Sequence, residues 1–178
     1  MVFVARYVAF LRGVNVGGVN LKMASGDDSV AAVFTAAGFS AVRTVLATGN
    51  VILDSAARPD TVRATAERAL RDRFGYDAWV LVYPFDDVAA ISAAFPFERV
   101  IPDHHSYVTF VSDPQVLDEL AALDPGPGEQ IAPGDRVVYW QVRRTQTLTS
   151  AMGKTMGKKR YKSSTTTRNL RTLERIVG

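Results

Sequence analysis

AVRTVLATGNVILD (residues 41–54) decides the fold of this chain. It is two β-rich runs, 41–48 and 50–54, that meet at Gly49-Asn50 in a hairpin-like corner. A hairpin in the middle of a small domain asks what lies on either side of it. Upstream, Val30, Val33, Phe34 and Ala37 repeat at i, i+3, i+4 and i+7, a helical stripe. Ser25, Asp27, Asp28 and Ser29 offer N-caps for that helix, and Gly38 sits where a C′ glycine belongs. Before it, VFVARYVAFL (2–11) alternates as a strand and runs into the glycine-rich turn RGVNVGGVNLKM (12–23). Downstream, a helix starts near Pro59-Asp60 and stops at Gly75, with Val62, Ala66, Ala69/Leu70 and Phe74 as its stripe. DAWVLVY (77–83) is a strand closed by Pro84.

The order is β-α-β-β-α-β, the pattern of a ferredoxin-like (α/β) plait over residues 1–84. The second half, 85–178, is less regular. Helices are expected at 86–94 and 114–123, strands at 106–112 and 136–143, and a short strand at 129–132 inside the Pro/Gly-rich stretch 124–135. Ser150–Lys158 reads as a short helix interrupted by Gly153 and Gly157. The last helix is expected over 167–177, with Thr165, Thr166 and Thr167 as caps and Arg168, Arg171 and Arg175 on one wet face. The expected fold class is α+β, two tandem plaits, the second truncated or variant.

Composition narrows the chemistry. The 178 residues include no cysteine, which excludes disulfides, thiol catalysis and cysteine-held metals. The two histidines form one dipeptide, His104-His105, a poor basis for a metal site. No metal and no cofactor are expected. The net charge of +3 conceals an asymmetry: residues 1–142 hold 11 basic and 17 acidic residues, and 143–178 hold ten and one. An acidic body (−6) with a basic end (+9) points either to an anionic partner or to neutralisation within the fold. Four of the five lysines fall between 154 and 162. Nothing resembles a membrane span or a cleavable leader, so a soluble cytoplasmic protein with no membrane partner is expected; oligomeric state is not legible.

The glycine-rich turn lies between a strand and a helix, where backbone N–H groups can cradle an anion. Arg12 and Lys22 add charge, and Asn15 adds an amide. The turn matches neither G-x-x-x-x-G-K-[ST] nor G-x-G-x-x-G, so a wide turn needing positive φ competes with ligand binding. Gly49 and Asn50 can likewise serve a ligand or their own turn. Tyr107, Phe110, Tyr139 and Trp140 fit core packing better than base stacking, because the RNP1 pattern is absent. No G-x-S-x-G, H-E-x-x-H or S-x-x-K occurs, and no catalytic constellation emerges.

In order, YVAFLRGVNVGGVNLKM (7–23), VRTVLATGNVILDS (42–55) and TTRNLRTLERI (166–176) resemble the bacterial family of domain of unknown function 1697. The resemblance spans nearly the whole chain and implies two α/β plaits in tandem. It picks out Arg12, Gly13, Asn15, Gly17, Gly18, Lys22 and Met23, then Gly49 and Asn50, then Thr166, Thr167, Arg168, Asn169 and Thr172. Two places depart from the family pattern: Ala24–Ser29 reads as an insertion, and Leu170-Arg171 stands where the family has Trp-Asn. The resemblance carries no catalytic assignment. The expected ligand-binding set is therefore Arg12, Asn15, Gly17, Gly18, Lys22, Gly49, Asn50, Thr166, Arg168 and Asn169. The expected partner is a phosphate-bearing small molecule or nucleic acid. The alternatives are an enzyme with a cleft between the domains and a protein-interaction module without catalysis.

Overall fold

The computed structural model describes residues 3–13 and 21–178, which fall into two compact units, 1–88 with 175–178, and 89–174. The first unit contains β1 (Ala5–Arg12), α1 (Val30–Ala36), β2 (Ser40–Thr44), β3 (Asn50–Ser55), α2 (Pro59–Phe74) and β4 (Trp79–Pro84). The strands form one antiparallel sheet in the order β2-β3-β1-β4. Alternation along β1 puts Tyr7, Ala9 and Leu11 into a core with Val51, Leu53 and Val80. The helices close that core with Phe34 of α1 and Val62, Ala66 and Leu70 of α2. Val8, Phe10, Ile52 and Leu81, on the opposite face by register, are buried as well.

Helix boundaries follow local chemistry. Of the four cap candidates it is Ser29 that caps α1, its hydroxyl accepting from Ala32 N at 3.1 Å. Pro59 opens α2 in its first turn, and Gly75 closes it at φ 67°, donating its N–H to Arg71 O.

α3 (Phe85–Ala93) leads into β5 (His104–Val111), α4 (Pro114–Ala121), β6 (Glu129–Gly134), β7 (Val137–Arg143), α5 (Ala151–Met156), β8 (Thr165–Asn169) and α6 (Leu170–Val177). The second sheet is also antiparallel, in the order β6-β7-β5-β8. It repeats the strand permutation of the first sheet, and its β-α-β-β-α-β element order repeats too. One face packs Val111, Val138, Trp140 and Val142 on Leu120 of α4, Met152 of α5 and Tyr161. The other face carries Tyr139, whose hydroxyl donates to Ile91 O at 2.7 Å and whose ring meets Phe95 edge-on.

Three expectations change here. A truncated second plait undercounts the unit, which has four strands. The missing strand is β8, Thr165–Asn169, where the last helix was expected to begin at 167. Thr-rich sequence suits a strand, and pairing with β5 from Val111↔Thr165 to Tyr107↔Asn169 satisfies the backbone groups on that side of this edge strand. The helix cap is therefore not a threonine: Asn169 Oδ1 accepts from Arg171 N at 3.0 Å. Arg168 lies in the strand and is buried, so it does not share a wet helix face with Arg171 and Arg175. The four strand aromatics are packed: Phe110, Tyr139 and Trp140 are buried, and Tyr107 stacks on Trp140 at 4.5 Å.

Candidate functional site

The sequence-selected residues fall on both units. In the first, Leu11 N donates to Gly49 O at 2.8 Å, and Phe10 pairs with Asn50. This brings Arg12 and Gly13 (φ 80°), at the end of β1, beside the Thr48–Gly49–Asn50 turn. Gly49 has φ 92°, which explains the glycine. The Asn50 amide donates to Val45 O at 2.9 Å and to Thr48 Oγ1 at 3.0 Å, so this side chain holds its own turn. Burial holds the Arg12 guanidinium below its ordinary pKa. The Lys22 carbonyl accepts from Val30 N, which ties the exposed Lys22 to the start of α1. Asn15, Gly17 and Gly18 lie outside the described residues.

In the second unit, Arg168 Nη1 donates to Thr166 Oγ1 at 2.6 Å and to Thr167 O at 2.9 Å. Thr167 Oγ1 meets Thr109 Oγ1 at 2.8 Å, and Thr109 Oγ1 also accepts from Trp140 Nε1. Thr166 and Arg168 share the buried sheet face with Val108 and Phe110.

Asn169 leads to a cavity of about 170 Å³ at the His104 end of β5. Its lining includes Arg99, His104, His105, Arg144, Asn169 and Arg171, with one carboxylate, Glu174. Arg99 holds that carboxylate, with Nη2 and Nε at 2.9 and 3.1 Å from Glu174 Oε1, and its Nη1 donates to Ser92 O. Arg144 is placed by its backbone N–H, which donates to Asp103 O at 2.9 Å. Arg171 is placed by the Asn169 cap. Among the described residues neither the Arg144 nor the Arg171 side chain makes an ion pair.

The two histidines differ. His104 Nδ1 lies 2.8 Å from Pro102 O, and the carbonyl can only accept, so Nδ1 carries the proton. The His105 ring tilts against Tyr107 at 5.5 Å. Burial and then the Arg144 charge hold His105 below the usual imidazole range.

Part of the remaining charge is consumed inside the fold. Glu129 is buried and accepts three backbone N–H groups, from Gly126, Ala151 and Met152, each at 3.0 Å. It thereby fills the N-terminus of α5 with an internal anion. Arg160 pairs with Glu119, which also accepts from Tyr161 Oη at 3.0 Å. Among the described residues no cluster of His, Cys, Asp or Glu is suited to a metal ion. Nor is any described helix long and apolar enough to cross a membrane.

The cavity joins Asn169, which sequence reasoning selects, to Arg99, His104, His105 and Arg144, which it does not select. The missed residues come from a loop and the strand start that follows it, and from a turn far along the chain. Their one local signal is a histidine pair directly after the turn Pro102-Asp103, with Asp103 at φ 61°.

Comparison with curated proteins gives no match. A solved structure described as that of conserved bacterial protein SP0830 from Streptococcus pneumoniae is similar in fold, with a TM-score of 0.77 over 98% of both chains at 19% identity. At that identity the likeness speaks to fold alone. A family model described as protein of unknown function (DUF1697) matches residues 4–139, most of the chain. This chain therefore belongs to the DUF1697 family.

Proposed function

We propose that this protein binds a small phosphate-bearing molecule in the Arg144–Arg171 cavity of its second unit. One observation carries the reading: two guanidiniums outside any ion pair among the described residues line a cavity whose single carboxylate is already held by Arg99. Guanidinium groups suit phosphate because their N–H forks match its oxygens. Each charge-assisted hydrogen bond contributes about 1.5–3 kcal/mol, so two support roughly millimolar or tighter capture of an inorganic ion. The cavity, about 170 Å³, is smaller than the ~300–1,000 Å³ of sites for drug-sized ligands, which suits a headgroup. Asn169 is the member of the sequence-selected set that this site uses. The glycine-rich end of the first unit, with Arg12, Lys22, Gly49 and Asn50, enters the proposal as a second anion-facing surface of lower weight, since the Asn50 amide is spent on its turn.

Calorimetric titration of the full chain with inorganic phosphate and pyrophosphate tests the reading. Saturable binding that is lost in Arg144→Gln supports it; no heat from either anion refutes it.

A second reading, nucleic acid, rests on Lys154, Lys158, Lys159 and Lys162, all exposed within nine residues. If these four contact phosphates, log affinity falls with log salt at a slope of about −3.6 for a duplex. We further propose that the chain is two α/β plaits in tandem, domains 1–84 and 85–178, in a cytoplasmic bacterial protein. The repeated strand permutation supports this assignment.

A further inference from the structure

We infer that the cavity recognises the proton on its anion: His104 makes it prefer an oxyanion that carries a P–OH group, such as hydrogen phosphate, over one that offers acceptors alone, such as sulfate. This rests on the phosphate reading above and adds a selectivity to it.

The argument is a census of donors and acceptors around one cavity. Arg99 spends its guanidinium on Glu174 and Ser92 O. The Asn169 side-chain oxygen is spent on Arg171 N. Ser106 Oγ donates to Arg99 O and accepts from Gln141 Nε2. The donors left for an anion are the Arg144 and Arg171 side chains and the Asn169 amide NH₂. The acceptors left are the second oxygen of Glu174 and, in the neutral rings, His104 Nε2 and one nitrogen of His105, whose tautomer no contact fixes as Pro102 O fixes that of His104.

His104 is the informative member. Its Nδ1 proton is committed to Pro102 O at 2.8 Å, so the neutral ring presents Nε2 as a bare lone pair. The same backbone contact fixes the ring's orientation, as second contacts do for imidazoles at working sites. A lone pair facing an unprotonated oxygen is repulsive. Facing a P–OH it becomes a hydrogen bond. Two guanidiniums and one or two acceptors are therefore complementary to hydrogen phosphate or dihydrogen phosphate, and mismatched to sulfate, which bears no proton near neutral pH. The charged groups around the ring are Arg99, Arg144, Arg171 and Glu174 in the cavity, His105 beside it on β5, and Arg143 opposite it on β7.

The test is competitive titration of the full chain with inorganic phosphate and with sulfate at pH 7.5 and matched ionic strength. Phosphate is expected to bind about tenfold more tightly, the scale of one mismatched polar contact. Equal affinities overturn the inference and leave the anion site standing. Binding of neither ion overturns the site itself. His104→Gln provides the second arm, because its amide can turn either an oxygen or an NH₂ toward the ligand. Both anions should still bind, with the preference reduced to about threefold or less. A His104→Gln chain that keeps the tenfold preference removes His104 from the selectivity. Long-range ¹⁵N spectra of the wild-type chain must also show the neutral Nδ1–H tautomer for His104. An Nε2–H signal contradicts the inference whatever the affinities.

Discussion

Replacing Glu129 by glutamine asks how much of the second unit hangs on one internal anion. Glu129 Oε2 accepts from Gly126 N and Ala151 N, and Oε1 accepts from Met152 N, all at 3.0 Å. The side chain is nearly the same shape in Gln, but only one of the two terminal atoms remains an acceptor. In its best orientation the amide oxygen keeps Gly126 and Ala151, and the NH₂ confronts Met152 N–H, donor against donor. The lost charged hydrogen bond costs about 1.5–3 kcal/mol. The two that survive become neutral and weaken by about 0.5–1 kcal/mol each, charged bonds being the stronger kind. Losing the negative charge at the start of α5 costs about 0.3–1 kcal/mol more. The sum is about 3–6 kcal/mol, a large share of the roughly 5–15 kcal/mol typical of a folded domain. Urea unfolding followed by circular dichroism reads it directly, as a lower midpoint at unchanged slope. A loss below about 1 kcal/mol would refute the reasoning, because it would mean the three N–H groups find partners without the carboxylate.

Other consequences are as concrete. A Cβ on Gly153 would collide with Thr147 O, a backbone atom with little room to yield, so Gly153→Ala should destabilise by about 1–3 kcal/mol or more in the same unfolding assay. The buried Tyr76 hydroxyl has no hydrogen-bond partner among the described residues, and burial raises its pKa to about 12. The folded state then keeps a proton that the unfolded state releases near 10, so stability should fall as pH rises from about 10 to about 12, and Tyr76→Phe should make that fall shallower, Tyr139 and Tyr161, also raised by burial, contributing the rest. Proton NMR should place the His105 midpoint below 6.5, and Arg144→Gln should move it upward by removing the nearby charge.

What sequence pattern can and cannot reach is visible at particular residues. Alternation in β1 and the stripe Val62–Ala66–Leu70 in α2 are physical consequences of period 2 and period 3.6, and both stand in the structure. Gly38 and Gly75 mark helix ends because they take φ 104° and 67°. β8 escapes the same approach. Three of its five residues are threonines, whose hydroxyls suit a cap as well as a strand, and the apolar period of α6 begins one residue after it ends. Only the partner β5, over fifty residues away, decides the matter.

The charge asymmetry divides in the same way. A composition count puts nine positive charges net on residues 143–178, and that count cannot say which are answered inside the fold. Arg160 is answered by Glu119, and Arg168 is taken up in β8 by Thr166 and the Thr167 carbonyl. Arg144 and Arg171 are placed beside one cavity by contacts with Asp103 O and Asn169 Oδ1, which no linear spacing encodes.

The central claim is that Arg144 and Arg171 together make an anion site. Its most direct measurement is phosphate binding by the wild-type chain and by the Arg144→Gln/Arg171→Gln double variant, side by side under one buffer and temperature. The expected result is saturable one-to-one binding by the wild type and at least about a hundredfold loss in the folded double variant, the least that two charge-assisted contacts of about 1.5 kcal/mol each should contribute. Equal phosphate affinity in the two proteins would contradict the account.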